Sequence, residues 1–227
     1  MEKFQRLDIA MFIPGMNLTW ESLEKDSIGG CITGDTFIDI SRDLKKFPDG
    51  IPIKTLCDNF STEEFNNMVY AYDNIQKRIV LRKILKIWKT KSNTEIWELI
   101  YQWKTKSGEN RTGILKATPD HKIMLRDGSY KELKDLKPKD SLMPFNRFID
   151  KTKRPCIDLN NGSWKYEHSF IINELNIKYK PKYGIHGDII HHKDFNRLNN
   201  SLDNLEVMSW NNHLKLHQDY LMNYLND

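Results

Sequence analysis

Cysteine is scarce in this chain. Three residues, Cys31, Cys57 and Cys156, stand far apart in 227 positions and never form a CxxC pair. That spacing offers neither a disulfide framework nor a thiolate zinc site, and a reducing cytoplasm is the expected setting. Long apolar runs are missing as well. The only apolar stretch near the start, "IAMFIPGM", is short, contains Pro14 and follows Glu2 and Asp8. It reads poorly as a signal sequence and is too short to span a bilayer, so no membrane partner is expected. Internal repeats and low-complexity segments are absent too. Net charge is only +4, from 35 basic and 31 acidic side chains. Such a balance is compatible with a polyanionic partner without requiring one.

What is present divides near residue 150. From Cys31 onward, short β-branched and aromatic runs such as "GIPIKTLCD", "RIVLRKILKIWKTK" and "TEIWELIYQWKTK" alternate with turn formers at Asp49-Gly50, Ser107-Gly108 and Asp127-Gly128. Many short strands are the reading. A polar stretch with Pro155 and "NNGS" resembles a linker. Beyond it, "EHSFIINELNIKY" and "WNNHLKLHQDYLMNYL" carry helical spacing, with a short strand ending at His191 and His192 between them. The fold class expected is therefore α+β, a mainly-β part followed by a small part built from strand and helix.

Four of the seven histidines fall between Gly187 and His217. His213 and His217 are four residues apart and so share one helix face, where two ring nitrogens can bind one cation. His191 and His192 sit side by side at a strand end, and adjacent strand residues point to opposite faces. Only one can join the helix pair, which leaves the other for a substrate. A cation held by some imidazoles beside an unligated one suits hydrolysis, with the ion stabilising negative charge and the second ring activating water. Asn204 lies between strand and helix, placed to brace the loop. Imidazole ligands suit zinc and nickel, whereas many phosphodiester-cleaving enzymes use magnesium, so metal identity stays open. Lysines and arginines near the pair, Lys182, Lys193 and Arg197 among them, are candidate phosphate contacts.

"HHKD", "RLNN", "DNLEVMS" and "NNHLKLH" resemble, in order and spacing, the ββα-metal motif of HNH nucleases over about Tyr166 to His217. The resemblance implies His191 as a metal ligand, completed by His213 and His217, His192 as general base and Asn204 as the structural asparagine. Double-stranded DNA is the implied partner and a divalent ion the implied cofactor: magnesium first, with zinc, manganese or nickel as alternatives. Phe195 stands where the family usually has glycine.

Gly29-Gly30-Cys31 places a thiol after an unhindered carbonyl, and a cysteine can attack the peptide bond on its own amino side if that bond is polarised. Thr118 and His121 in "ATPDHK" are spaced to assist at a strand-turn segment. Cys31 with "ITGDTFI", "KATPDHKIML" and "DGSYKELKDLKPKDSLMP" resemble Hint domains, the fold of inteins, over about Cys31 to Phe145, with Lys139 where glycine is common. The resemblance implies an acyl shift at Cys31 aided by Thr118 and His121.

The terminal "LMNYLND" carries no His-Asn pair, so splicing is expected to need a separate C-terminal intein fragment; leader cleavage alone and an inactive relic are the other options. The organisation expected is a leader over 1–30, a Hint domain over 31–147, a linker over 148–164 and an HNH domain over 165–227. Together the two resemblances imply an intein-associated homing endonuclease hydrolysing DNA phosphodiesters, in a bacterial or phage-infected cell. The alternative is a split-intein component whose HNH module only binds DNA or metal.

Overall fold

A computed structural model describes residues 6–11, 31–59, 68–90, 94–104, 108–180 and 187–226. The expected leader lies outside the described residues except for its strand at 6–11. In chain order the elements are β1 (Arg6–Met11), β2 (Ile32–Thr33), β3 (Phe37–Ile38), β4 (Ile51–Pro52), α1 (Ile53–Asp58), β5 (Met68–Asp73), β6 (Arg78–Thr90), β7 (Trp97–Lys104), β8 (Asn110–Ala117), β9 (Lys122–Met124) and β10 (Tyr130–Glu132). After these come β11 (Arg147–Ile149), β12 (Pro155–Asp158), β13 (Trp164–Tyr166), α2 (Glu167–Glu174), β14 (Asp188–His192), β15 (Leu205–Ser209) and α3 (Trp210–Asn226). The secondary structure is mixed, with mostly small antiparallel sheets. No described helix is long and apolar enough to cross a membrane.

The chain folds as two compact units whose boundaries differ from the linear division expected. Unit one comprises Met1–Ile40, Asp49–Phe65 and Arg82–Phe145; unit two comprises Ser41–Pro48, Asn66–Leu81 and Asn146–Asp227. In unit one the sheet runs β6-β1-β2-β8-β7, and Ala117, at the end of β8, pairs with both Ile32 and Trp97. Its core gathers Ala117, Ile123 and Leu133, with Ile32, Leu99, Leu115, Leu136 and Leu142 against them. The expected turn glycines Gly50, Gly108 and Gly128 all take positive φ. Gly50 has φ +121°, and a Cβ there would lie 2.9 Å from the carbonyl oxygen of Ile38. Backbone direction at that turn therefore depends on a residue without a side chain.

In unit two, β11, β12 and β13 form an antiparallel sheet against which α2 turns Phe170, Ile171 and Ile172, all 1% exposed or less. Each such side chain contributes roughly 1.5–3 kcal/mol by leaving water. The residues expected as a linker, 148–164, are thus most of this sheet. Their polar composition makes tight turns rather than a tether. Asp150 accepts hydrogen bonds from the amides of Thr152 (2.9 Å) and Arg154 (2.8 Å), and Asn161 accepts one from Ser163 (3.1 Å). Asp and Asn favour turns because their side chains bond the backbone two residues on.

Segment 41–48, assigned by sequence to the Hint part, also belongs to unit two. Leu44 donates its amide to the Leu198 carbonyl (2.9 Å), and Asn200 donates its amide to the Arg42 carbonyl (3.0 Å). Such pairing between distant segments leaves no trace in local periodicity.

Lys139 occupies the third position of the turn Lys137–Asp140 with φ +82°, and Asp140 donates its amide to the Lys137 carbonyl at 3.0 Å. A positive φ there favours glycine. Lys139→Gly is therefore expected to raise unfolding free energy by about 1 kcal/mol, seen as a higher denaturant midpoint with an unchanged slope.

Candidate metal centre

The centre is built on the β14–β15 hairpin and α3, all in unit two. Antiparallel register sets His191 opposite Glu206 and His192 opposite Leu205. Being neighbours on one strand, the two imidazoles diverge. His191 turns to α3, its ring 5.2 Å from that of His213 and 5.4 Å from that of His217. His213 and His217, one helical turn apart, have rings 4.3 Å from each other. Each of the three offers one nitrogen, and these lie within 4.8 Å of one another.

Two facts fit this cluster to a cation. The Nε2 of His191 and the Nδ1 of His213 are buried with no hydrogen-bond partner among the described residues. Leaving such atoms unsatisfied is costly. Burial, followed by the neighbouring imidazoles, lowers the pKa of both His191 and His213, which keeps lone pairs available for a metal.

His192 faces the other way. Its Nε2 lies 2.9 Å from Oδ1 of Asn200, whose Nδ2 donates to Oε2 of Glu167 at 2.9 Å. Glu167 is wholly buried and accepts from Nη2 (2.7 Å) and Nε (3.1 Å) of Arg147, and from the Tyr70 hydroxyl. Burial lowers the pKa of His192, opposed first by the Asn200 hydrogen bond, so the ring is a neutral proton acceptor near pH 7. Sequence reasoning missed Asn200, Glu167 and Arg147. The "NN" pair was visible, but nothing in it distinguishes Asn199 from Asn200.

Asn204 is buried and holds the loop between β14 and β15. Its Oδ1 accepts from the Asp194 amide (3.1 Å), while Nδ2 donates to Oδ1 of Asp194 (2.9 Å) and to the Asn199 carbonyl (2.8 Å). Phe195 adopts φ +58°, a left-handed conformation unusual for a bulky residue. The ring it carries lies 5.1 Å from His191 and 5.0 Å from His217, and stacks on Tyr220 at 4.3 Å. Those contacts offset the strain and wall one side of the imidazole cluster.

A cleft of about 220 Å³ joins both imidazole faces and is lined by His191, His192, His213, His217, Arg154 and Arg197, with His168 and Phe195. Arg197 was expected here; Arg154 was not, because it fell in the supposed linker. The Lys193 ammonium instead donates to the Asp203 carbonyl at 2.8 Å. Lys182 lies outside the described residues.

In unit one, the backbone amide of Cys31 donates to Oγ1 of Thr118 at 2.8 Å, and the Thr118 amide donates to the Cys31 carbonyl at 2.8 Å. Cys31 and Thr118 are each 1% exposed. His121 is half-buried and donates its amide to the Thr118 carbonyl at 3.0 Å. Gly29 and Gly30 lie outside the described residues.

No family model matches the chain, and no solved structure does. It is similar to the B subunit of DNA gyrase from Synechocystis sp. (strain ATCC 27184 / PCC 6803 / Kazusa), 32% identical over 209 residues. That alignment covers 88% of this chain but only 18% of the gyrase protein.

His168, 5.6 Å ring to ring from His192, has its pKa pushed down to about 3, chiefly by burial. Its neutral form is the one the fold accommodates. The corresponding stability is complete above about 6.5 and is lost as pH falls from there through about 3. Thermal melts with a chelator present should fall steadily from pH 7 to pH 4, and less steeply for His168→Phe.

Proposed function

We propose that the chain is an intein-associated HNH endonuclease that hydrolyses DNA phosphodiester bonds with a divalent ion. One observation carries this reading: three imidazoles converge on a common point while a fourth, on the opposite strand face, opens on the same cleft. His191, His213 and His217 would hold the ion. When bound, it would stabilise negative charge on the scissile phosphate. His192 takes the proton from the attacking water, for which its lowered pKa suits it. Arg154 and Arg197 supply guanidinium groups that bind and orient phosphate oxygens. A three-nitrogen donor set suits zinc or nickel better than magnesium or manganese, which prefer oxygen ligands. Magnesium therefore drops from first place.

The gyrase alignment has the proportions of an element carried within a longer host protein. The corresponding target is a gyrase B coding sequence without the element. Plasmid bearing that sequence should be nicked or cut in the presence of a divalent ion and spared in EDTA. His192→Ala should lower the cleavage rate on the order of 10²–10⁴-fold at a temperature where circular dichroism shows the variant still folded. Full activity in that variant would remove His192 from the mechanism.

A second activity has its own support in the hydrogen bond from the Cys31 amide to Thr118. That nitrogen is the one released if the Cys31 thiolate attacks the Gly30 carbonyl. The C–N bond breaks, a thioester forms, and the proton given up by the thiol ends on the nitrogen, which becomes a free amine. Dithiothreitol should then release a fragment ending at Gly30, detectable by mass spectrometry. Cys31→Ala should abolish that release and leave DNA cleavage intact.

A further inference from the structure

We infer that Glu167, acting through Asn200, is the positioning residue that fixes His192 with its proton on Nε2 and its lone pair on Nδ1. The inference rests on the reading of His192 as the base, and it names the atom that does the work.

The chain of donors and acceptors allows one polarity. Glu167 is 0% exposed, and its carboxylate is clasped by the Arg147 guanidinium through Oε1. A carboxylate held this way is an acceptor. Asn200, also 0% exposed, must then turn its NH₂ group to Oε2 of Glu167, as the 2.9 Å contact shows. That turns its Oδ1 to His192, and a carbonyl oxygen only accepts. The ring nitrogen 2.9 Å away, Nε2, must therefore be the N–H. The remaining nitrogen, Nδ1, keeps its lone pair. The Asn200 backbone is anchored by its amide's hydrogen bond to the Arg42 carbonyl at 3.0 Å, and its side chain is held at both ends, by Glu167 and by His192.

Leaving so buried a carboxylate without partners would be strongly destabilising. Glu167 has instead a partner on each oxygen, and one of those partners touches the proposed base. The arrangement matches the general pattern in which a buried acceptor sets which nitrogen of a histidine is protonated.

Two readouts test this on the full chain. In ¹⁵N-histidine NMR, His192 should show a protonated Nε2 and an unprotonated Nδ1. Both nitrogens should shift toward an averaged tautomer in Glu167→Gln. On the gyrase-B plasmid, Glu167→Gln and Asn200→Asp should each lower kcat ~10–100-fold with KM unchanged.

Exchanging both residues, E167Q with N200D, restores the polarity, since the new glutamine donates to the new aspartate, which accepts from His192. The double variant should recover kcat to within about threefold of the parent, a strong positive coupling in the mutant cycle. A His192 protonated on Nδ1 in the parent would overturn the inference, as would a double variant no better than the singles. The NMR result stands even if the parent cuts no DNA, so failure of the nuclease reading remains distinguishable from failure of the relay.

Discussion

Two neighbouring residues on one strand cannot face the same way. That constraint gives His191 and His192 different surroundings, and the rest of the site follows from it. His191 meets the helix pair at rings 5.2 and 5.4 Å away, where its buried Nε2 finds no hydrogen-bond partner among the described residues. His192 meets Asn200 instead. A slip of one residue in the β14–β15 register would exchange the two faces. The loop that joins these strands is accordingly braced, with Asn204 bonded to Asp194 and Asn199.

Neither side of the divergence is built from the hairpin alone. The His192 side depends on Glu167 at the start of α2, Arg147 on β11 and Tyr70 on β5. Segment 41–48 then anchors the backbone at Leu198 and Asn200. The hairpin that carries the imidazole pair is therefore completed by stretches from well upstream in the chain. The interior charge of Glu167 is tolerable because both its oxygens have partners, and one of them, Asn200, belongs to the loop.

Local chemistry was legible in the sequence where spacing alone determines geometry. The four-residue interval between His213 and His217 fixes a shared helix face, and the strand pair fixes opposite faces. The glycine turns at Gly50 and Gly128 were legible for the same reason, since both take positive φ. Domain boundaries were not legible. Residues 148–164 have the composition of a linker, yet Asp150 and Asn161 use that polarity to close hairpins. Asn200 was invisible as a partner of His192 because its role depends on Glu167, 33 residues earlier. At Phe195 and Lys139, where glycine was expected, the chain keeps positive φ, and Phe195 offsets the strain with aromatic contacts.

Metal binding tests the central claim most directly. Titration of the chelator-stripped protein with cobalt(II) or zinc(II), followed by X-ray absorption at the metal edge, reports both stoichiometry and ligands. The account requires one ion per chain, nitrogen-coordinated with the outer-shell scattering of imidazole, and lost when His191 is replaced by alanine. An absence of stoichiometric binding, or a spectrum that His191→Ala leaves unchanged, would contradict it.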